Sequence, residues 1–288
     1  MTHIRKPEWL KVKIGGSRCG GVGQTLTKYN LNTVCEQAGC PNIGECFHNH
    51  TATFMLLGRE CTRNCAFCKV EHKEPEGVDV NEPENVAKAA RELGLSHVVI
   101  TSVTRDDLED GGAGHFAKTV YAIREYSPPT SIELLIPDFK GDITALHTVL
   151  DASPDILNHN VETVPDLYSV IRPEAIFERS IELLRRVKEY NPEIITKSGF
   201  MLGLGESDEQ VIVLLKILKN ADCDIVTIGQ YLQPSAKHYP VQEYVHPDKF
   251  KEFRDIGLTL GIKQVTSGPL VRSSYQAEAD FKMLVNGN

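Results

Sequence analysis

Apolar and polar positions along the chain follow two periods. Six short segments rich in β-branched and apolar residues read as strands: Thr53–Leu57, His97–Ser102, Ser131–Ile136, Ile156–Asn160, Ile195–Leu202 and Asp224–Tyr231. Helical spacing falls between them. From Pro83 to Leu93 the apolar positions are Val86, Ala89, Ala90 and Leu93, with Pro83 suited to a first turn and Gly94 to a stop. Glu178 to Tyr190 places Ile181, Leu184 and Val187 on one face and an i,i+4 pair, Glu182 and Arg186, on the other. Ser207 to Gln210 matches a capping box that opens a helix ending near Asn220, and another helix is expected from Asp248 to Gly257. Gln264–Ser267 reads as a short extra strand.

Strands alternating with helices imply an α/β fold with a parallel sheet and helical crossovers. Six such units can curl into a partial (β/α)6 TIM-like barrel, and an open doubly wound sheet is the alternative that periodicity leaves standing. The first fifty residues, rich in Gly and Cys, read as an irregular extension. The expected division is 1–50 for that extension, 51–262 for the barrel and 263–288 for a C-terminal segment. Loops that follow parallel strands gather at one rim, where barrel active sites lie. Polar groups reach that rim at Thr101, Ser102 and Arg105–Asp107, at Asn158, Asn160 and Glu162, and at Gly203–Glu206. Each alone reads as loop chemistry or a cap; their convergence points to a site. Leu56, Val99, Leu135 and Ile228 are candidates to line the interior.

Composition narrows the setting. The 288 residues carry a net charge of −8, which disfavours nucleic acid as the main partner. The longest apolar run, Val211 to Leu215, is far too short to span a membrane, and no apolar leader opens the sequence. A reducing, cytoplasmic setting is expected, so the eight cysteines read first as thiols or metal ligands.

Six of those eight fall between positions 35 and 68, in two triplets. CEQAGCPNIGEC carries Cys35, Cys40 and Cys46, and CTRNCAFC carries Cys61, Cys65 and Cys68. Structural zinc takes four ligands, commonly in short pairs, and iron–sulfur clusters usually take four thiolates. A triplet leaves one iron of a cubane without a protein thiolate, open to substrate or cofactor. Zinc completed by a distant residue such as His72 is the competing reading. Cys223, just before an apolar strand, reads as a small buried residue. Cys19 has no assigned part, and His48 and His50 read as polar side chains facing solvent.

The spacing C-x3-C-x2-C on the first strand–helix loop, with Phe67 before the last cysteine, resembles the signature of the radical S-adenosylmethionine (SAM) superfamily. GFMLGLGE, from Gly199 to Glu206, resembles that superfamily's adenine-contacting segment, with Met201 at its apolar position. NHNVET, from Asn158 to Thr163, resembles a ribose-contacting stretch. The first triplet, VRSSY at Val271–Tyr275, TSVTRDDLEDGGAGHF, ELLIPDFKG, GQYLQPSAKH and the opening KPEWLK together resemble the lipoyl synthase family, over nearly the whole chain. The glycine–glycine–glutamate triad usual after the second strand is absent. Asp106, Asp107 or Asp110 near Gly111–Gly112 are candidates to contact the SAM amino group in its place.

The resemblance implies two [4Fe–4S] clusters. Cys61, Cys65 and Cys68 would hold the one whose open iron chelates SAM, and electron transfer to it would release a 5′-deoxyadenosyl radical. Cys35, Cys40 and Cys46, with Ser274 as fourth ligand, would hold an auxiliary cluster. Read without the family, Ser274 is an exposed tail hydroxyl; as a ligand it would draw the C-terminal segment over the barrel mouth. Phe67, Thr101, Ser102, Asn160, Glu162, Arg172 and Met201 would contact the cofactor, with Arg172 alternatively facing substrate. The implied reaction is insertion of two sulfurs, from the auxiliary cluster, at C6 and C8 of an octanoyl chain on a carrier lysine. Implied partners are the glycine-cleavage H protein or 2-oxoacid dehydrogenase E2 domains, with ferredoxin or flavodoxin as reductant. A biotin-synthase-like enzyme acting on a small molecule, a non-enzymatic Fe–S carrier and a zinc-stabilised binding module are the alternatives.

Overall fold

A computed structural model describes residues 5–11, 21–48 and 53–286. Cys19, His50 and Thr51 lie outside the described residues, and so does the side chain of His48. The chain forms two compact units. One comprises Ile14–Asn64 and Lys69–Asn158; the other comprises Met1–Lys13, Cys65–Cys68 and His159–Asn288.

The first unit opens with α1 (Gly21–Lys28), β1 (Asn32–Thr33), α2 (Val34–Gln37) and α3 (Ile43–His48). Among the described residues of the extension expected to be irregular, 21–48 form short helices and a strand, and α1 buries Val22, Thr25 and Leu26. Its stripe is short and interrupted by glycine and threonine, which hid it from periodicity. There follow β2 (Thr53–Leu56), the short pair β3 (Glu60–Cys61) and β4 (Glu71–His72), α4 (Glu82–Glu92), β5 (His97–Ser102), α5 (Ala113–Tyr126), β6 (Ser131–Leu135), α6 (Ile143–Asp151) and β7 (Ile156–Asn158). The unit's main strands run in the order β1-β2-β5-β6-β7. β1 is antiparallel to β2, and the others are parallel. The helices of the crossovers stack, α4 on α5 and α5 on α6.

The second unit holds α7 (Tyr168–Ile171), α8 (Phe177–Tyr190), β8 (Ile195–Leu202), α9 (Asp208–Asn220), β9 (Ile225–Gln230), α10 (Pro247–Thr259), β10 (Gln264–Ser267) and α11 (Ala277–Asn286). β8, β9 and β10 are parallel neighbours. Its core packs Phe200, Leu202, Val226 and Ile228 against Leu184 of α8 and Leu214 of α9. Ile228 thus faces helices rather than the interior, a correction to its expected place.

Leu56 is corrected likewise. It pairs with Ser102 while Thr53 pairs with Val99, so alternation puts Leu56 on the face opposite Val99. Val99 and Leu135 share one face through Val99↔Glu133 and Thr101↔Leu135.

Candidate active site

The first triplet sits on α2, α3 and the turn between them. Thr33 caps α2 by accepting from Cys35 N–H at 3.2 Å, and its own hydroxyl donates to Thr53 C=O at 2.8 Å. Cys40 N–H closes on Cys35 C=O at 2.9 Å, and Cys46 N–H on Asn42 C=O at 2.9 Å. Burial and the neighbouring Cys35, Cys40 and Glu45 push the Cys46 thiol up to about 12. A thiol whose ionisation is opposed by two neighbouring sulfurs suits a cationic centre, which stabilises thiolates. Among the described residues, no three His, Cys, Asp or Glu side chains close around a point as they do on a single metal ion. In a cluster each thiolate binds a different iron, so the sulfurs stand farther apart.

Within the same unit lies the first part of the CTRNCAFC loop. The Cys61 sulfur accepts from Arg63 N–H at 3.5 Å and Thr104 N–H at 3.3 Å. Such N–H···S contacts stabilise the thiolate and raise a cluster's potential. His72 pairs with Cys61 across β3 and β4 and donates through Nδ1 to its carbonyl at 3.2 Å. Thr101 Oγ1 donates to Leu135 C=O at 3.0 Å, and the buried Ser102 hydroxyl has no hydrogen-bond partner. The three acidic candidates for the SAM amino group are engaged elsewhere. Asp106 accepts from Arg63, Asp107 from Arg105, and Asp110 from Gly112 and Gly114 N–H at the start of α5.

The second unit holds the rest of the loop. Ala66 N–H donates to Ile171 C=O at 3.0 Å, and Ala66 C=O accepts from Tyr239 N–H at 2.9 Å. His238 Nε2 donates to Cys68 C=O at 2.9 Å while Nδ1 meets the Ser235 hydroxyl at 2.8 Å. Phe67 packs into a cluster with Ile171, Met201, Leu204, Tyr231 and Tyr239. Phe67 and Met201, both marked by the sequence, therefore share one apolar wall. His238 went unmarked because a histidine bonding a carbonyl carries no periodic signal.

Beside that wall stands a polar group. Glu162 has a left-handed backbone at φ 69°, fixed to β8 by Glu162 N–H to Gly199 C=O and Met201 N–H to Glu162 C=O, both 2.9 Å. Burial holds its carboxyl above the usual range, against the opposing pull of Arg172 and the Asn160 amide. Arg172 donates to Asn160 C=O at 2.9 Å and Tyr168 OH at 2.7 Å. Asn160 Oδ1 is buried without a partner. A Cβ on Gly199 would stand 3.0 Å from that oxygen and 2.4 Å from Thr227 Oγ1. Glu206 accepts from Gly203 and Leu204 N–H at 2.6 and 2.9 Å and closes the turn after β8. A nucleoside fits here: an apolar wall for a base, and an orphaned acceptor beside a carboxylate for sugar hydroxyls.

Ser274 is half-buried in the turn between β10 and α11. Ahead of it, Val271 C=O lies where a Cβ on Gly229 would approach within 2.2 Å, so only glycine admits that crossing of β9. Cys223 is buried, donates to Ile225 C=O at 3.2 Å, and is pushed up to about 12 by burial, as suits a packed thiol.

Residues 55–229 match the radical SAM superfamily. Solved structures of low identity share the fold. One is methylornithine synthase PylB, with TM-score 0.55, 16% identity and 74% of this chain and 70% of that one covered. Another is the hydrogenase maturase HydG, with TM-score 0.56, 12% identity and 80% and 62% covered. The chain belongs to the radical SAM superfamily, and its mostly parallel α/β fold is the partial TIM barrel expected of it.

Closer relatives narrow this further. The lipoyl synthase of Caldanaerobacter subterraneus subsp. tengcongensis is 56% identical over 280 residues, 97% of this chain and 98% of the relative. That of Alkaliphilus metalliredigens is 55% identical over 96% of each. Within the superfamily, the chain is a member of the lipoyl synthase family.

Proposed function

We propose that the chain converts an octanoyl group, amide-linked to a lysine of a carrier domain, into a lipoyl group by placing sulfur at C6 and C8. The observation that carries this reading is the pair of cysteine triplets in a chain more than half identical to lipoyl synthases over its length. With both clusters and SAM bound, the cofactors supply a 5′-deoxyadenosyl radical for hydrogen abstraction and sulfide for insertion. The chain's own residues hold and shield them. Cys61, Cys65 and Cys68 hold the SAM-binding cluster. Cys35, Cys40, Cys46 and Ser274 hold the auxiliary one. Phe67 and Met201 flank the base, Asn160 and Glu162 take the ribose hydroxyls, and Arg172 holds Asn160 in place through its carbonyl.

Ser274 suits a cluster that gives up sulfur. Its oxygen is a harder donor than thiolate and makes a weaker corner on an iron–sulfur cubane. Val99 and Leu135 offer apolar surface that keeps water from a primary carbon radical. Functionally the chain divides into 1–50 with the auxiliary cysteines, 51–262 with the SAM site, and 263–288 with the serine. Among the described residues no helix is long and apolar enough to cross a membrane. We infer a cytoplasmic setting, with H protein or E2 domains as carriers and ferredoxin or flavodoxin as reductant.

The test is anaerobic incubation with SAM, reductant and octanoyl-lysyl peptide, followed by mass spectrometry. Dithiol product on the peptide, and none on free small-molecule acceptors, supports the reading. Sulfur insertion only into a free small molecule overturns it.

A further inference from the structure

A buried charge in the first part of the CTRNCAFC loop has no part in the chemistry above. Arg63 is 5% exposed. Its Nε and Nη2 donate to the Asp106 carboxylate at 2.7 and 3.0 Å, and Nη2 also donates to Asp138 Oδ1 at 2.6 Å. Asp138 is itself buried. The two carboxylates come from different connections, β5 to α5 and β6 to α6.

The same stretch is stapled by its backbone. Thr62 N–H and hydroxyl both donate to Thr104 C=O at 3.0 Å, and Asp106 N–H donates to Thr62 Oγ1 at 3.0 Å. These contacts bring Thr104 N–H onto the Cys61 sulfur.

Asp138 stands at the head of a strained turn. Phe139, Lys140 and Gly141 have φ of 45°, 53° and 84°. A left-handed conformation is unfavourable for a residue with a side chain, so two in succession persist only where contacts over-determine them. Here Lys140 N–H bonds Asp138 Oδ1 at 3.1 Å, Lys140 Nζ bonds Asp106 C=O at 3.0 Å, and Phe139 packs edge-on against Phe116. Stability alone is a poor reason for this arrangement, since a buried ion triad can often be replaced by apolar residues at no loss.

We propose that Arg63, Asp106 and Asp138 form a brace that holds the Cys61 stretch in its ligating shape, with Arg63 as positioning residue. This rests on the reading that the second triplet holds a cluster. Arg63 touches neither SAM nor substrate in this account; it acts through the loop backbone and the two N–H groups on Cys61. A lysine cannot replace it fully, because a point charge lacks the fork that meets both carboxylates. The brace also gives a task to Asp106 in TSVTRDDLEDGGAGHF and to Asp138 and Lys140 in ELLIPDFKG.

The test uses the full chain with Cys35, Cys40 and Cys46 changed to Ala, so that bound iron reports the second triplet alone. Arg63→Gln, Asp138→Asn and Arg63→Lys are compared with that parent for iron loss to a chelator. The reduced-cluster EPR signal is recorded with and without SAM, all well below each variant's unfolding midpoint. Outer partners of metal ligands typically matter by about 10–100-fold, so the first two variants should lose iron faster by about that factor, with an altered EPR signal. Arg63→Lys, which keeps the charge and most of the stem, should fall between. Parental iron loss and EPR line shape in any folded member of the first two, with only a lower melting temperature, would overturn the brace. A parent that binds no iron after reconstitution would instead overturn the cluster reading, and the brace with it.

Discussion

Glu162 keeps a left-handed backbone that costs about 1–2 kcal/mol and is held there by two bonds to β8. Strain so maintained, beside an orphaned Asn160 oxygen, supports the proposed nucleoside site. Charged hydrogen bonds contribute about 1.5–3 kcal/mol, so Glu162→Gln should weaken SAM binding by about tenfold or more. Equilibrium binding reads this, with iron content unchanged. Asp224 serves stability instead. Lys188 at 2.5 Å, Lys263 at 2.8 Å and Thr196 N–H at 2.9 Å outweigh its burial and lower its pKa. A depressed carboxyl contributes stability above its unfolded pKa, about 4, and loses it as pH falls through the folded value. Asp224→Asn should therefore cost about 3 kcal/mol at pH 7 in urea denaturation, with the gap to the parent closing in acid. Cysteine spacing and the NHNVET stretch pointed to the candidate ligand types at this scale. Arg63 and His238 were not, because their partners are distant in sequence and carry no periodic mark.

Strands were the most legible elements. His97–Ser102, Ile195–Leu202 and Gln264–Ser267 form with the expected bounds. The Ser207–Gln210 capping box is present with both of its bonds, and Ser207→Ala should cost about 1 kcal/mol in thermal or urea unfolding. Helices α5 and α6 escaped the periodic reading. The buried face of α5 includes His115 and Thr119, which dilute its stripe, and its first turn is capped by Asp110 from outside. Gly199 shows how an element shapes a site by omission. Gly199→Ala would press a methyl against Thr227 Oγ1 and Asn160 Oδ1, and should lower SAM affinity while leaving iron binding intact. Parental affinity in that variant would remove Asn160 from the nucleoside site.

For the whole molecule, composition bounded the class and the paired triplets, set beside the other family motifs, gave its chemistry. The proposed link between Ser274 and the first triplet, far apart in sequence, rests on the family motif VRSSY, since no periodic pattern suggests it. Two four-iron clusters predict about eight irons per chain after anaerobic reconstitution, and about four when Cys35, Cys40 and Cys46 are Ala. The most direct measurement of the central claim follows sulfur itself. The chain is reconstituted with heavy-isotope sulfide and turned over anaerobically with SAM, reductant and octanoyl-lysyl peptide, and the product is weighed. The account predicts a lipoyl peptide carrying two labelled sulfurs, lost in Ser274→Ala although SAM is still cleaved. Lipoyl product without label, or normal product from Ser274→Ala, would contradict it.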